Sequence, residues 1–555
     1  MLSFPKIKEY GFIFIIPSVI LLLAFYIDAA ASPYWIKFDP SYVYLLNSLN
    51  LTKGLPPPDV SHPGTTIQMI CAAVYWVFNI GQTAPTIITR VLTAPEFYLH
   101  VVHVLLITGL FTSSALVGGY LYHKTRNKIA VLLIQLPAIP LLVDTFGVSP
   151  DPFLIMTVNL FNLFFLQALF ARSSHKKLMA SLGLAMVCGL GVATKMIFLP
   201  LLLIPILILA WRLKLVFIIA CPAAFILFTL PITSEYPRMF QWFSSLAQHT
   251  GVHGIGKSGI DWNQYVASWK SILINHVFLL LSAGAALIWA SLRIIRKNAS
   301  REIWFLAAAS IGVLVQFAVV AKSYQEHYLL PGLVLIALVW PLFYLIRMSA
   351  HRLLKHIAIV FIIVSSLQSI SFVLATGQQW TKEKNDILSF DHQIRAQFPG
   401  CVLIGSYPAY SLDFALLWAN DNSHTVADEL SQLYPDAVHF NNLSYGITNF
   451  KERIFTDDLL ADGRSVIFMD SRSNYFEEAP YVRKLIAYRG NSSAYLLISS
   501  QEKAVEGLFN AANIFFTKGE YPQALAVALK ARALNYQPRG KIDYFLQMIL
   551  SKIPR

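Results

Sequence analysis

The sequence predicts an α-helical polytopic membrane protein with about eleven transmembrane helices, followed by a small α/β domain and a helical tail. Three observations predict it. Of 555 residues, 56% are hydrophobic and 13% charged, where a soluble chain carries roughly 25% charged residues. Apolar runs approaching the ~20 residues that cross a bilayer, such as "YGFIFIIPSVILLLAFYI" (10–27) and "WFLAAASIGVLVQFAVV" (304–320), recur to residue 375. The excess of basic residues, net +13, lies in short clusters between those runs, the distribution that fixes orientation across a membrane. Among these clusters no basic stripe with interleaved aromatics occurs, so a nucleic-acid partner is not expected.

The first run ends in "DAAAS" (28–32), which resembles a signal-peptidase site. It exceeds the roughly 7–15 residues of a signal h-region, and a retained helix is expected. Lys6 and Lys8 precede it, placing the N-terminus in the cytoplasm. Residues 31–97 then form a long external loop. Within it the apolar stretch 66–80 is too short to span comfortably and is expected to lie in the outer interface.

The second span, near 98–121, ends at the basic "HKTRNK" (123–128). Spans three and four (129–146 and 152–171) bracket the short external loop "DTFGVSPD" (144–151), and "RSSHKK" (172–177) returns to the cytoplasm. Spans at 178–193 and 196–211 close at "WRLK" (211–214), and the seventh (215–232) opens a second external loop, 233–270. The eighth (271–291) meets "RIIRKNASR" inside, and the ninth (303–321) leads out to "KSYQEHY" (322–328). The tenth (329–346) returns to "RMSAHRLLKH" (347–356), and the eleventh (357–375) exports the rest. This topology keeps every basic cluster inside and places the C-terminus outside, periplasmic in a bacterial inner membrane.

The membrane domain is therefore expected over 1–376, an exported α/β domain over 377–500 and the tail over 501–555. In the α/β domain, "CVLIGSY" (401–407), "SVIFMD" (465–470) and "AYLLIS" (494–499) read as buried strands, with the helical "SLDFALLWAND" (411–421) between them. The tail, 506–538, reads as two amphipathic helices joined at Lys518-Gly519-Glu520, like a single tetratricopeptide repeat. Such a hairpin either packs on its own domain or offers a surface to a protein partner. Cys71, Cys188 and Cys221 lie in apolar segments and Cys401 stands alone. They read as small fillers, with no disulfide framework or metal-ligand spacing.

Ionisable residues at the outer ends of spans are functional candidates, because charge near membrane depth is costly. Four external segments carry them. "WIKFDPSYVYLLNSL" (35–49) holds Asp39, a carboxylate suited to a general base and equally to a helix cap before Pro40. The same segment continues with "SHPGTTIQMI" (61–70), which holds His62. "GVSPDPFL" (147–154) holds Asp151 before Pro152, the pattern of an N-cap. "HTGVHGIGKSGIDW" (249–262) gathers His249, His253, Lys257 and four glycines, groups that can cradle phosphate. In "KSYQEHYLLPG" (322–332), Lys322, His327 and Tyr328 mark re-entry into the membrane, where snorkelling is the plainer reading. All four segments share one face.

An acid soon after the first span, "HPG" before an interfacial helix, Arg90 before the second span, an "SPD" loop and a late "HYLLP" together resemble the GT-C glycosyltransferases. Protein O-mannosyltransferases and the bacterial aminoarabinose transferase belong to that class. The resemblance covers about residues 1–375. It implies transfer of a sugar from a polyprenyl-phosphate donor to a lipid, glycan or protein acceptor at the outer leaflet, with inversion. It casts Asp39 as the base on the acceptor hydroxyl and Asp151 as the acid that orients acceptor or donor. His62, Arg90, Lys195, His253, Lys257, Lys322, His327 and Tyr328 then bind the donor or its leaving phosphate.

Two departures stand out. Paired acids are common in the first loop of the class, whereas Asp39 is flanked by Phe38 and Pro40, and "HPG" replaces the usual "HPP". No certain cofactor is expected; a divalent metal stays open, but no carboxylate cluster offers it ligands. Competing readings are a polymerase or ligase of lipid-linked glycans, a transporter, and an assembly scaffold. No internal repeat of the transporter kind is visible.

Overall fold

The computed structural model describes residues 10–61, 64–248, 260–348, 352–405, 411–423, 426–441, 446–470, 481–489, 492–500, 502–533 and 539–553. By internal packing the chain divides into two units, Met1–Ala31 with Asn47–Gln379 and Ser32–Leu46 with Trp380–Arg555.

In the first unit, α1 (Ile15–Ala31) continues a short 3-10 turn, Gly11–Phe14. α2 (Ser41–Thr52), α3 (Thr65–Phe78) and α4 (Ala84–Thr93) fill the expected first loop. The long α5 (Pro95–Thr125) follows. It starts on Pro95 and Glu96 and ends on His123 and Lys124, each favourable to the helix dipole at its own end. α6 (Lys128–Gln135), α7 (Pro150–Phe170) and α8 (Ser174–Thr194) come next. They are followed by α9 (Leu203–Ile208), α10 (Trp211–Phe228) and α11 (Tyr236–Gln248). α12 (Trp262–Ile295), α13 (Arg301–Val320), α14 (Leu330–Phe343) and α15 (Arg352–Gln397) complete the series; α2 up to Leu46 and α15 from Trp380 belong to the second unit.

Among the described residues nine helical segments are long and apolar enough to cross a bilayer. They are Gly11–Ala31, Pro95–Thr125, Pro150–Phe170, Ser174–Thr194, Trp211–Phe228, Trp262–Ile295, Arg301–Ser323, Glu326–Arg347 and Arg352–Gln397. The two remaining expected spans are broken helices. After α6 the chain passes into 3-10 turns at Leu136–Ala138 and Pro140–Thr145. Between α8 and α9 lies the 3-10 turn Met196–Leu202. Pro137, Pro140, Pro200 and Pro205 explain both breaks, since each lacks the amide an α-helix needs. The stretch expected in the outer interface is the short apolar helix α3.

Polar side chains join the spans where lipid offers no hydrogen bonds. Gln135 Nε2 donates to Ile13 O and Ser114 O, both at 3.0 Å. The guanidinium of Arg301 donates to Ala171 O at 3.0 Å and Ala168 O at 2.7 Å. These last two are carbonyls that the end of α7 leaves unsatisfied.

The second unit holds a seven-stranded sheet in the order β4-β3-β2-β1-β5-β7-β6. The strands are β1 (Val402–Gly405), β2 (Val438–Asn441), β3 (Gly446–Thr448), β4 (Arg453–Ile454), β5 (Val466–Asp470), β6 (Tyr481–Arg489) and β7 (Ser492–Ser500). β1 pairs parallel with β2 (Ile404 opposite Val438) and with β5 (Val402 opposite Val466). α16 (Leu412–Ser423) and α17 (Ala427–Leu433) supply the crossover from β1 to β2. The period of two sends Val402, Ile404, Val466 and Phe468 to one face. Ile467 and Met469 go to the other, against Phe390 and Ile394 of α15.

Three helices end the unit, α19 (Glu502–Thr517), α20 (Tyr521–Ala533) and α21 (Arg539–Leu550); the single turn α18 (Thr456–Ala461) precedes β5. The expected hairpin is α19 and α20, turned at Gly519 in the left-handed region (φ 79°). Phe545, Leu546 and Ile549 of α21 pack with Val505, Ala512, Ala524 and Ala528. The chain's own third helix thus covers part of the hairpin. Residues 534–538 of the expected docking segment lie outside the described residues.

Candidate active site

The residues that combine at one end of the first unit come from helix termini that follow each other with alternating direction. Asp28 closes α1, His100 and His103 open α5, Asp151 opens α7, Lys195 follows α8, and Glu326 to Tyr328 lead into α14. Strictly alternating spans put all of these at the same end.

α7 is capped by Ser149, whose Oγ accepts from the Asp151 amide at 3.3 Å. Asp151 is therefore not the cap that its place before Pro152 suggested. It occupies the second helical position, behind Pro150, where its carboxylate meets the positive end of the helix dipole. Freed from capping, Asp151 Oδ1 accepts from Lys195 Nζ at 2.8 Å, with side-chain exposures of only 14% and 6%. Lys195 sits in extended backbone (φ −159°, ψ 129°) directly after α8. Its ammonium also stands 5.5 Å from the centroid of the Tyr328 ring, within cation–π range.

Two contacts fix this arrangement. Gln316 of α13 donates to both Ile197 O and Tyr328 O at 3.1 Å, tying the lysine segment to the tyrosine segment. A Cβ on Gly332 would come within 2.9 Å of Gln316 Cγ, so glycine there leaves room for that bridge. Thr194 Oγ1 lies 3.0 Å from Thr66 Oγ1 of α3, anchoring the residue before Lys195.

A further carboxylate, Asp144, belongs to the group. Burial first, then the neighbouring charges of Asp151 and Glu326, push its carboxyl up to about 7, while Lys195 opposes the rise. Asp144 thus lies in the field of two other acids and one buried lysine. Glu326 is exposed and lies 4.0 Å from His276 Nε2, at the kink in α12. His327 stacks edge-on against Tyr328 at 4.4 Å. Among the described residues no group of three or more His, Cys, Asp or Glu converges as metal ligands.

The loop that carries Asp144 and Asp151 is held from below. His103 Nδ1 lies 2.8 Å from Gly147 O. A carbonyl only accepts, so Nδ1 donates. His103 Nε2 faces Asp28 Oδ1 at 3.2 Å, and His100 Nδ1 faces Asp28 Oδ2 at 3.2 Å. Asp28 and His103 are almost fully buried.

Asp39 belongs to the other unit. It is exposed and precedes α2, which starts at Ser41. Its neighbours are anchored within that unit. Phe38 packs edge-on against Trp418 at 4.7 Å and Phe414 at 5.8 Å, and Lys37 Nζ stands 3.6 Å over the Trp380 ring. Arg90 is exposed and donates to Asn79 Oδ1 at 3.2 Å, at the end of α3. Lys322 is half-buried in the 3-10 turn after α13. His62, His249, His253 and Lys257 lie outside the described residues.

The structure thus brings together Asp151, Lys195, His327 and Tyr328 of the residues expected from the sequence. It adds Asp144, Glu326, Gln316, Asp28, His100 and His103. The histidines were legible as an i, i+3 pair on a span facing an acid at the end of its predecessor.

The fold and the site define the class as a polytopic helical membrane protein. A charged, half-buried cluster lies at one end of its spans, and a seven-stranded α/β sheet forms its second unit. Two solved structures are similar to it. ArnT from Cupriavidus metallidurans bound to undecaprenyl phosphate matches at 14% identity and a TM-score of 0.47, over 86% of this chain and 98% of that one. The apo state of that protein matches at 14% identity and a TM-score of 0.46, over 82% and 93%. No family model and no curated protein matches the chain. At that identity and TM-score the functional reading rests on the chain's own residues.

Proposed function

We propose that the protein is a membrane glycosyltransferase that moves a sugar from a polyprenyl-phosphate donor to a lipid, glycan or protein acceptor at the outer face. The observation that carries this reading is the buried Lys195 ammonium held between Asp151 and the face of Tyr328. The polyprenyl phosphate leaves as a dianion, and a fixed cation in a site poor in water stabilises that charge as it develops. The carboxyl of Asp144, which takes up a proton near neutral pH, keeps the cluster from repelling an incoming phosphate. The apolar spans around it supply the hydrocarbon surface that a polyprenyl chain needs.

In this scheme an acceptor hydroxyl, its proton passing to the carboxylate of Asp39, attacks the anomeric carbon. The bond from that carbon to the phosphate oxygen breaks, and its electron pair stays on the phosphate. Displacement from the side opposite the leaving group inverts the anomeric centre. Asp39 carries the base role on the motif resemblance of its segment. Lys195, with Tyr328 and His327, carries the phosphate role. Asp151 orients the lysine.

The test uses the purified full chain in liposomes with a panel of polyprenyl-phosphate monosaccharides and a membrane extract as acceptor. Release of polyprenyl phosphate is expected for the wild-type chain. It should fall by at least about a hundredfold in Asp39→Asn, as for loss of a general base, and by a similar factor in Lys195→Met. Undiminished release by Asp39→Asn would remove the base assignment. Undiminished release by Lys195→Met would remove the phosphate assignment.

A further inference from the structure

We propose that a second site, at the opposite end of the spans, binds the phosphate headgroup of an anionic membrane lipid. It rests on different residues from the glycosyltransferase reading and stands independently of it. The cavity, of about 370 Å³, lies where α7 ends and α8, α10 and α13 begin, lined by Lys177, Arg301, Ala168, Leu209, Leu213 and Phe305. That volume falls within the roughly 300–1,000 Å³ of small-ligand sites.

Its chemistry is that of a cationic head above an apolar wall. Two of the guanidinium N–H groups of Arg301 are spent on Ala168 O and Ala171 O. Of five donors, three remain for a ligand on a group that cannot swing away. Arg301 is also held against the Phe305 ring, 5.4 Å from its centroid. Lys177 is half-buried beside it, and no carboxylate lines the cavity among the described residues.

The surrounding chain is basic as well. Arg172, His175 and Lys176 precede Lys177, and Arg212 and Lys214 flank Leu213. The one acid in these segments, Glu302, lines a different cavity with Ser300 and Leu342. A fixed guanidinium beside a lysine, with no acid in the lining among the described residues, leaves a charge that an anion would satisfy.

The depth of the site selects a lipid over a free ion. Ile206, Leu207 and Trp211 stand exposed on the segment that forms one wall. An exposed tryptophan at the first position of a span marks the interface between headgroups and acyl chains. A lipid seated there sets its phosphate at Lys177 and Arg301 and its chains along the exposed aliphatic side chains. Basic pockets between helices on the basic face of a membrane protein take anionic headgroups in this way.

Native mass spectrometry and thermal unfolding of the purified full chain test the site. The chain is titrated with phosphatidylglycerol, with phosphatidylcholine of the same acyl chains, and with inorganic phosphate. Saturable retention of phosphatidylglycerol alone is expected, with a rise in melting temperature. Lys177→Gln should weaken that retention about fivefold, the worth of one cation near a charged headgroup, and Lys177→Arg should restore it. Lys177 is half-exposed and its side chain has no partner among the described residues, so the lipid-free melting temperature of Lys177→Gln should match wild type. Equal retention of phosphatidylcholine, saturation by inorganic phosphate alone, or unchanged phosphatidylglycerol retention in Lys177→Gln would each overturn the proposal.

Discussion

Replacing Lys195 by Met removes the ammonium that pairs with Asp151, and the consequence can be worked from the pair's geometry. The contact is 2.8 Å, and the two side chains are 14% and 6% exposed. Removing one partner of a pair this buried leaves an uncompensated charge and costs about 3–5 kcal/mol. The remaining carboxylate would also face Asp144 and Glu326 without the cation that opposes them. Asp151→Asn produces the converse, a buried ammonium without its acid. It also loses about 0.3–1 kcal/mol of charge–dipole energy at the start of α7. The double variant holds neither charge and should recover most of the loss, because a buried pair replaced as a whole is often close to neutral.

Chemical unfolding of the four proteins in one detergent gives the coupling directly. It should be favourable by at least about 2 kcal/mol, towards the upper end of values for contacting residues. Simple additivity of the two single variants would refute the view that Asp151 and Lys195 act as one unit.

Three further outcomes follow from the same region. Asp144 titrates near 7 in the folded protein and at 3.8 as a free side chain, so the folded state holds the extra proton between those values. Its contribution to stability is complete below the lower value and is lost as pH rises through the upper one. The melting temperature of wild type should therefore drop between pH 5 and 8 more than that of Asp144→Asn, and equal slopes would contradict the placement. At the buried pair, Asp28→Asn can donate its amide to a neutral His103 Nε2 and should unfold within about 1 kcal/mol of wild type, the net worth of one hydrogen bond. Asp28→Ala removes the carboxylate that faces both His100 and His103 and should cost about 1–3 kcal/mol; denaturant titration separates the two. Gly332→Ala drives a methyl against Gln316; overpacking of this kind costs about 1–3 kcal/mol, measurable by thermal unfolding, and a neutral result would show that the Gln316 bridge is slack.

Much of the membrane unit was legible because lipid leaves so few options. Runs such as 304–320 had to be helices, and basic clusters such as 172–177 had to lie between them. What escaped was local backbone chemistry. Residues 129–146 and 196–211 have the hydropathy of spans, but their prolines break the hydrogen-bond ladder, and a hydropathy reading does not weigh a missing amide. Strands β1, β5 and β7 were readable from continuous apolar runs since they lie inside the sheet. β6, "YVRKLIAYR", is an edge strand with one wet face, so its charges hid it. β2 to β4 have only two to four residues each, too short for a periodic signal.

The site shows the same division. Lys195 came in only through the resemblance, as a cation for the leaving phosphate, and Asp151 as an acid at a span's end. Their pairing depended on Ser149 taking the cap, a choice between adjacent residues that spacing leaves open. Asp144 was seen only as the first letter of a loop. What singles it out is burial among other charges, a property of the assembled helices. Asp28 and His103 are separated by 75 positions and meet only because α1 and α5 pack side by side.

The most direct test of the central claim is a mass-balance measurement on the purified full chain. It is reconstituted in liposomes that contain a polyprenyl-phosphate monosaccharide and a membrane acceptor extract, and donor, free polyprenyl phosphate and glycosylated acceptor are quantified by mass spectrometry. The account predicts polyprenyl phosphate and glycosylated acceptor in equal amounts, both absent without protein. Donor that stays intact for every sugar tested, or that crosses the bilayer without cleavage, would contradict it.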